Sequence, residues 1–203
     1  MKDKSSYFIP AESITVEQEI KRSRFICSSK RAINTCEAND FIKANIVLYP
    51  DARHHCYAFI AGNPKSTTNI GMSDDGEPQG TAGKPMLSIL KYSGIGEIVV
   101  VVVRYFGGTK LGTGGLVRAY SSSVQLALDA IKLKKFVMLE TKYVSFSYQY
   151  ESSLRYIFEK MNVAIKEISY LEKIVMTIEF PKIDFNQLCL EINNKTKGEA
   201  AIY

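Results

Sequence analysis

Three stretches of this 203-residue chain concentrate side chains able to do chemistry: ARHHCY (52–57), SDDGEPQGTAGKP (73–85) and RYFGGTKLGTGGLVRAY (104–120). The last holds five glycines, three basic groups (Arg104, Lys110, Arg118) and two tyrosines (Tyr105, Tyr120). Glycine inside a strand or helix costs about 0.5–1 kcal/mol relative to alanine. Five of them must therefore serve turning geometry, or bare amides pressed against a ligand. Gly112, Thr113, Gly114 and Gly115 lie between an apolar run and a helical pattern. Unpaired N–H groups and the helix dipole attract anions at such a junction. The spacing is neither a Walker A loop nor a dinucleotide fingerprint. It contains G-x-x-G, but its neighbours are wrong for a KH domain. A tight strand-to-helix turn with close packing is the competing reading.

The second stretch places Asp74, Asp75 and Glu77 within four residues. Clustered carboxylates can hold a hard divalent cation. Asp-Gly and Glu-Pro are equally ordinary turn chemistry, and acids near a helix start favour its dipole. The turn is the favoured reading, and neither a metal nor a cofactor is expected. Gly80 or Thr81 is placed as the cap of the next helix, with Lys84 near its first turn. His54 and His55 are the only histidines. Neighbours on a strand point to opposite faces, so one at most faces a shared site. With Cys56 beside them and acids elsewhere, a Cys–His or His–Asp catalytic pair is conceivable.

The elements that must position these groups follow from periodicity. SITVEQEI and RSRFICSSK read as paired strands turning near Lys21-Arg22-Ser23, and NTCEANDFIKANIVLYP as a helix stopped by Pro50. HHCYAFIAG is a strand, and STTNIGMSDDGEPQGTAG starts as a strand and dissolves into turns. A helix runs from near Thr81 to Gly94, EIVVVVVRYF is a strand buried on both faces, and LVRAYSSSVQLALDAIKL is a long helix. From about residue 140 the pattern changes to KYVSFSYQY (strand), SSLRYIFEKMN (helix capped by Ser152 or Ser153) and VAIKEISY (strand). LEKIVMTIEF (strand), IDFNQLCLEINN (helix started by Asp184) and EAAIY (strand) complete it. That β-α-β-β-α-β order is a ferredoxin-like unit. The prediction is an α+β chain of two domains, 1–139 and 140–203, with the seam near 132–139.

Composition sets the frame. Hydrophobic residues make up 46% and charged residues 23%, ordinary for a globular protein. The longest apolar run, Ile98 to Val103, is far short of the roughly 20 residues of a membrane span, so no membrane partner is expected. The start MKDKSSYFIPAES lacks a signal-peptide core, and the four cysteines show no metal-like or disulfide-like spacing. A reduced, cytoplasmic protein is the expectation. Residues 1–139 carry 18 Lys/Arg against 12 Asp/Glu, whereas 140–203 carry 8 against 9. The whole basic excess lies in the first part, which fits an anionic partner there.

ARHHCYAF, SDDGEPQGTAGKP and VVVRYFGGTKLGTGGLVRAY, in this order and with KRSRFI (21–26) upstream, closely resemble the signature segments of the Impact/YigZ family. The resemblance covers roughly residues 18–130. The tail resembles the small domain of bacterial members, and the RWD domain of eukaryotic members is absent. The resemblance implies an N-terminal domain like the second domain of ribosomal protein S-five, a βαβ fold. It implies a ferredoxin-like C-terminal domain like the last domain of elongation factor G. It points to Arg53, His54, His55, Asp74, Asp75, Glu77, Lys84, Arg104, Tyr105, Arg118 and Tyr120 as motif residues. Phe59 stands where tyrosine is frequent, and Gln79 where serine is. A nucleic-acid or ribosome-associated role is what it implies for bacterial members.

Two readings follow. The leading one is a binding module for RNA or the ribosome, with a role in regulating translation. Arg24, Arg53, Arg104, Lys110 and Arg118 would meet the backbone, glycine amides would cradle phosphate, and Tyr105 or Tyr120 would stack on a base. The alternative is an enzyme acting on a phosphorylated or peptide-like small molecule, with His54 or His55 as acid/base and Asp74, Asp75 and Glu77 as metal ligands. Convergence of the three stretches on one pocket would favour the enzyme; an open convex face would favour the module. A protein partner on the C-terminal domain is a third possibility, and oligomeric state is left open.

Overall fold

The computed structural model describes residues 6–203. The chain is a two-domain α+β protein that divides into two compact units, one spanning Tyr7–Phe136 and the other containing Val137–Tyr203.

The first unit is built on a five-stranded antiparallel sheet. Its strands are β2 (Ile14–Ile20), β3 (Ser23–Arg31), β4 (His54–Ile60), β5 (Ile70–Ser73) and β6 (Ile98–Tyr105). The order across the sheet is β2-β3-β6-β4-β5. β3 and β4 both run antiparallel to β6 and flank it, so they form a split βαβ unit through α1 (Thr35–Leu48). The run IVVVVV is fully buried because both faces are covered. Ile98, Val100 and Val102 pack with Phe25, Cys27 and Ala58 under α2 (Gly83–Ser93) and α3 (Thr113–Ala130). Val99, Val101 and Val103 pack with Ile26 and Phe59 under α1. α1 starts at Asn34, whose side chain accepts from the Glu37 amide.

Two short strands escape the sequence reading. β1 (Ser6–Pro10) and β7 (Leu133–Val137) pair in a separate two-stranded sheet. Each is five residues long, and their partner is more than a hundred residues away. β1 is also held by Tyr7, whose hydroxyl donates to the buried Glu97 at 2.8 Å; Arg31 donates to the same carboxylate at 2.7 Å.

The second unit contains β8 (Leu139–Phe146), α4 (Glu151–Lys160), β9 (Ala164–Tyr170), β10 (Ile174–Pro181), α5 (Phe185–Thr196) and β11 (Ala201–Ile202). Strand order is β11-β8-β10-β9, each neighbouring pair antiparallel, the ferredoxin-like arrangement. β10 alternates buried and half-buried positions. Ile174, Met176, Ile178 and Phe180 meet Leu154, Phe158, Leu188 and Ile192 from α4 and α5. Ser152 and Ser153 do not cap α4. The helix begins at Glu151 after a short 3-10 turn through Tyr148–Tyr150, so both serines fall inside its first turn.

Candidate functional site

β6 ends at Arg104 and Tyr105, and this end of the sheet gathers all three chemistry-bearing stretches. Arg104 is opposite His54 on β4 and Phe25 on β3, and Tyr105 is opposite Arg24. Two-residue alternation then sends His54 and Cys56 to the face covered by α2 and α3, and His55 to the face covered by α1. His54 Nδ1 meets the Asp75 carbonyl at 2.8 Å; a carbonyl only accepts, so this nitrogen carries the proton. His55 is buried, its Nε2 is 3.0 Å from the Tyr49 carbonyl, and its backbone amide donates to Asp75 Oδ2 at 2.6 Å. The two histidines therefore serve different surroundings.

The three carboxylates diverge. Asp74 Oδ1 accepts from the amides of Ala82 and Gly83, each at 2.9 Å, and Oδ2 from Gly80 at 2.8 Å. Its oxygens thus take the place at the start of α2 that an external anion would fill. Burial alone raises the Asp74 pKa, but the hydrogen bonds from Gly80, Ala82 and Gly83 outweigh it and hold the group below the usual carboxylate range. This corrects the expected cap. α2 begins at Gly83 with Ala82 as its cap residue, and the Thr81 hydroxyl donates to the Pro78 carbonyl instead.

Glu77 enters the core. Its Oε1 accepts from Arg104 Nη1 at 2.6 Å and from the Tyr120 hydroxyl at 2.8 Å. Cys56 Sγ lies 3.3 Å from that hydroxyl and 2.9 Å from the Asp74 carbonyl, extending the network. Burial pushes the Cys56 thiol up to about 12 and the Tyr120 phenol far above its ordinary value, so both stay protonated at neutral pH. Tyr120 is fully buried and edge-on to Phe25. It cannot stack on a base as the sequence reading offered. Arg104, also buried, gives Nη1 to Glu77, so it is not an exposed cation that follows a nucleic-acid backbone. Among the described residues, no three His, Cys, Asp or Glu side chains form a group able to hold a metal ion.

Around this buried core lies an exposed basic rim. Arg53, Lys110 and Arg118 are exposed, as are Lys21 and Arg22 in the β2–β3 turn. None of these five has an ion-pair partner among the described residues. Arg118 Nε donates to the Gly114 carbonyl at 3.2 Å. Arg24 differs: it pairs with Glu17 at 2.5 Å and stands over the half-buried Tyr105 ring. Lys84 is exposed in the first turn of α2, without an ion pair among the described residues. α3 begins with Gly112 at φ 73° and no side chain capping it. Thr113, Gly114 and Gly115 therefore form its first turn with open amides, in contrast to the filled start of α2. Gly107 answers a different need: a Cβ there would stand 1.9 Å from the Arg22 carbonyl carbon and oxygen. Its amide donates to Ser23 Oγ at 3.2 Å, tying the glycine loop to the basic turn.

A cavity of about 370 Å³ opens beside Arg53, lined by Asp51, Arg53, His54, Arg104, Tyr105 and Phe106. Asp51 and Phe106 were not singled out from the sequence. Phe106 is legible only in hindsight, as an aromatic between a strand end and a Gly-Gly pair.

The comparisons agree with this frame. The Impact N-terminal domain profile matches residues 21–128, and the Domain of unknown function (DUF1949) profile matches residues 144–199. Over 193 residues the chain is 37% identical to "IMPACT family member YigZ" of Escherichia coli (strain K12), covering 95% of each protein. An "IMPACT family member" of Haemophilus influenzae is 38% identical, covering 98% of this chain and 96% of that protein. A solved structure titled "Crystal structure of an hypothetical protein" superposes with a TM-score of 0.68 at 36% identity, covering 98% of this chain and 96% of that one. With a matched N-terminal domain that carries all three chemistry-bearing stretches, and with relatives similar over nearly their whole length, this chain belongs to the Impact family.

Proposed function

We propose that the protein binds RNA, ribosomal RNA included, through the basic rim of its first unit, and regulates translation by doing so. The observation that carries this reading is the set of five exposed cations, Lys21, Arg22, Arg53, Lys110 and Arg118, with no carboxylate pairing them among the described residues. Unpaired cations on one rim meet phosphates without first breaking ion pairs, and the open amides of α3 add donors. The enzyme alternative has less support, because Asp74 already accepts three backbone amides and Glu77 Oε1 already accepts from Arg104 and Tyr120.

Filter binding of the full chain to total RNA and to ribosomes across a salt series tests the proposal. Affinity should fall steeply with salt. Lys110→Ala with Arg118→Ala should flatten the log–log slope by about 1–2, at about 0.7 per phosphate contact on single strands. Salt-independent binding, or a double variant indistinguishable from the parent, would sink the reading. Arg104→Ala is a poor probe, since stripping one partner from a buried ion pair costs about 3–5 kcal/mol of folding stability.

A further inference from the structure

We propose that the cavity beside Arg104 is a binding site for a phosphomonoester that carries an aromatic base: a free nucleoside monophosphate, or the phosphorylated end of a polynucleotide. The polynucleotide form rests on the RNA reading above; the free-nucleotide form does not.

The argument begins with a buried donor. Arg104 is 7% exposed and gives Nη1 to Glu77, while its Nε, also buried, has no hydrogen-bond partner among the described residues. Buried N–H groups in native structures are nearly always satisfied, so one left open on a residue that lines a cavity calls for an acceptor. Arg53 and His54 line the same cavity. Because His54 Nδ1 gives its proton to the Asp75 carbonyl, Nε2 is the nitrogen left to a ligand, donating to a phosphate oxygen as imidazolium and accepting from a P–OH or ribose hydroxyl when neutral. Two guanidinium groups and an imidazole around one space suit a phosphate.

Size and the remaining lining residues extend the ligand beyond phosphate. About 370 Å³ is small-molecule dimension, and inorganic phosphate would leave most of it empty. Phe106 is 58% exposed, and the Arg104 guanidinium lies over its ring at 5.7 Å, leaving the aromatic surface available to stack on a base. Asp51 supplies a carboxylate, which accepts from ribose hydroxyls or from a base amino group.

The depth of Arg104 selects a terminal group. A phosphate must enter end-on to reach a donor this buried, and an internal phosphodiester would have to lead two chain segments back out. Charge alone does not select it, since the buried Glu77 offsets Arg104 and Asp51 in the lining is opposite in sign to Arg53. Selection therefore rests on directed hydrogen bonds and stacking.

Calorimetric titration of the full chain with AMP, adenosine and inorganic phosphate provides the test, alongside competition by 5′-phosphorylated and 5′-hydroxyl oligonucleotides. AMP should bind at least about tenfold more tightly than either fragment. Arg53→Ala should weaken AMP by a similar factor, and Phe106→Ala should erase its advantage over inorganic phosphate. Both positions line the cavity rather than the core, and a thermal melt checks that the variants fold. A 5′-phosphate preference identifies a chain end as the ligand; AMP binding with no such preference identifies the free nucleotide. If AMP binds no better than adenosine and the two oligonucleotides compete equally, the proposal is overturned. Salt-dependent RNA binding in that same outcome would leave the RNA reading intact. Its loss in Lys110→Ala/Arg118→Ala, with AMP binding unchanged, separates the two sites.

Discussion

Asp74 precedes the three amides that it satisfies by six, eight and nine residues, so a carboxylate from one turn closes the start of a helix in the next. Asp74→Ala strips these acceptors and should lower stability by about 1–3 kcal/mol, read as a shift in the urea midpoint. The pH dependence has a definite sign. The folded pKa is depressed, so the stabilisation is present above the unfolded value of about 4 and is lost as pH falls through the folded one. Asp74→Asn should therefore flatten the acid limb of the stability profile; an unchanged limb would show that other carboxylates dominate it. Tyr120→Phe tests the neighbouring network. It leaves Glu77 with Arg104 alone and removes the Cys56 partner, for an expected loss of about 1 kcal/mol by thermal denaturation. A loss several times larger would mean that the phenol holds the Arg104–Glu77 pair in place.

The β2–β3 hairpin turns through Lys21 and Arg22, both at positive φ, 49° and 67°. A two-residue turn of this kind favours Asn-Gly, so two basic residues there are held against their backbone preference. Replacing the pair by Lys21→Asn and Arg22→Gly should raise the urea midpoint, by about 1 kcal/mol, while weakening RNA binding. Equal or lower stability would show that the turn is not strained. At this level much was legible in the residues: β2 and β3 from alternation, α1 from its apolar period, β6 from its unbroken valines. What was hidden depends on distant partners. β1 and β7 are short and find each other across the unit; within 66–83 the strand does precede the turns, but it begins only at Ile70 and ends at Ser73. Arg104 and Tyr120 carry the chemistry of surface residues and are buried only because Glu77, 27 and 43 residues earlier, comes in to meet them.

Across the whole chain, chemistry and charge fall in one unit. The division lies between Phe136 and Val137, and residues 140–203 carry 8 Lys/Arg against 9 Asp/Glu. Exposed cations of the second unit should therefore contribute little to RNA affinity. Lys160→Glu with Lys195→Glu should leave the salt slope of the full chain unchanged, whereas a fall as large as that from Lys110→Ala/Arg118→Ala would place part of the interface on α4 and α5. The three sequence stretches converge, yet Arg104, Glu77 and Asp74 are spent on the protein's own groups, and what remains open is the rim and one cavity. The rim of that cavity has an optical consequence. The chain contains no tryptophan, so Phe106→Trp would create a single indole emitter at the mouth of the cavity, beside the Arg104 guanidinium. Its emission could be excited selectively over the tyrosines, and its quenching would follow occupancy of the cavity in real time.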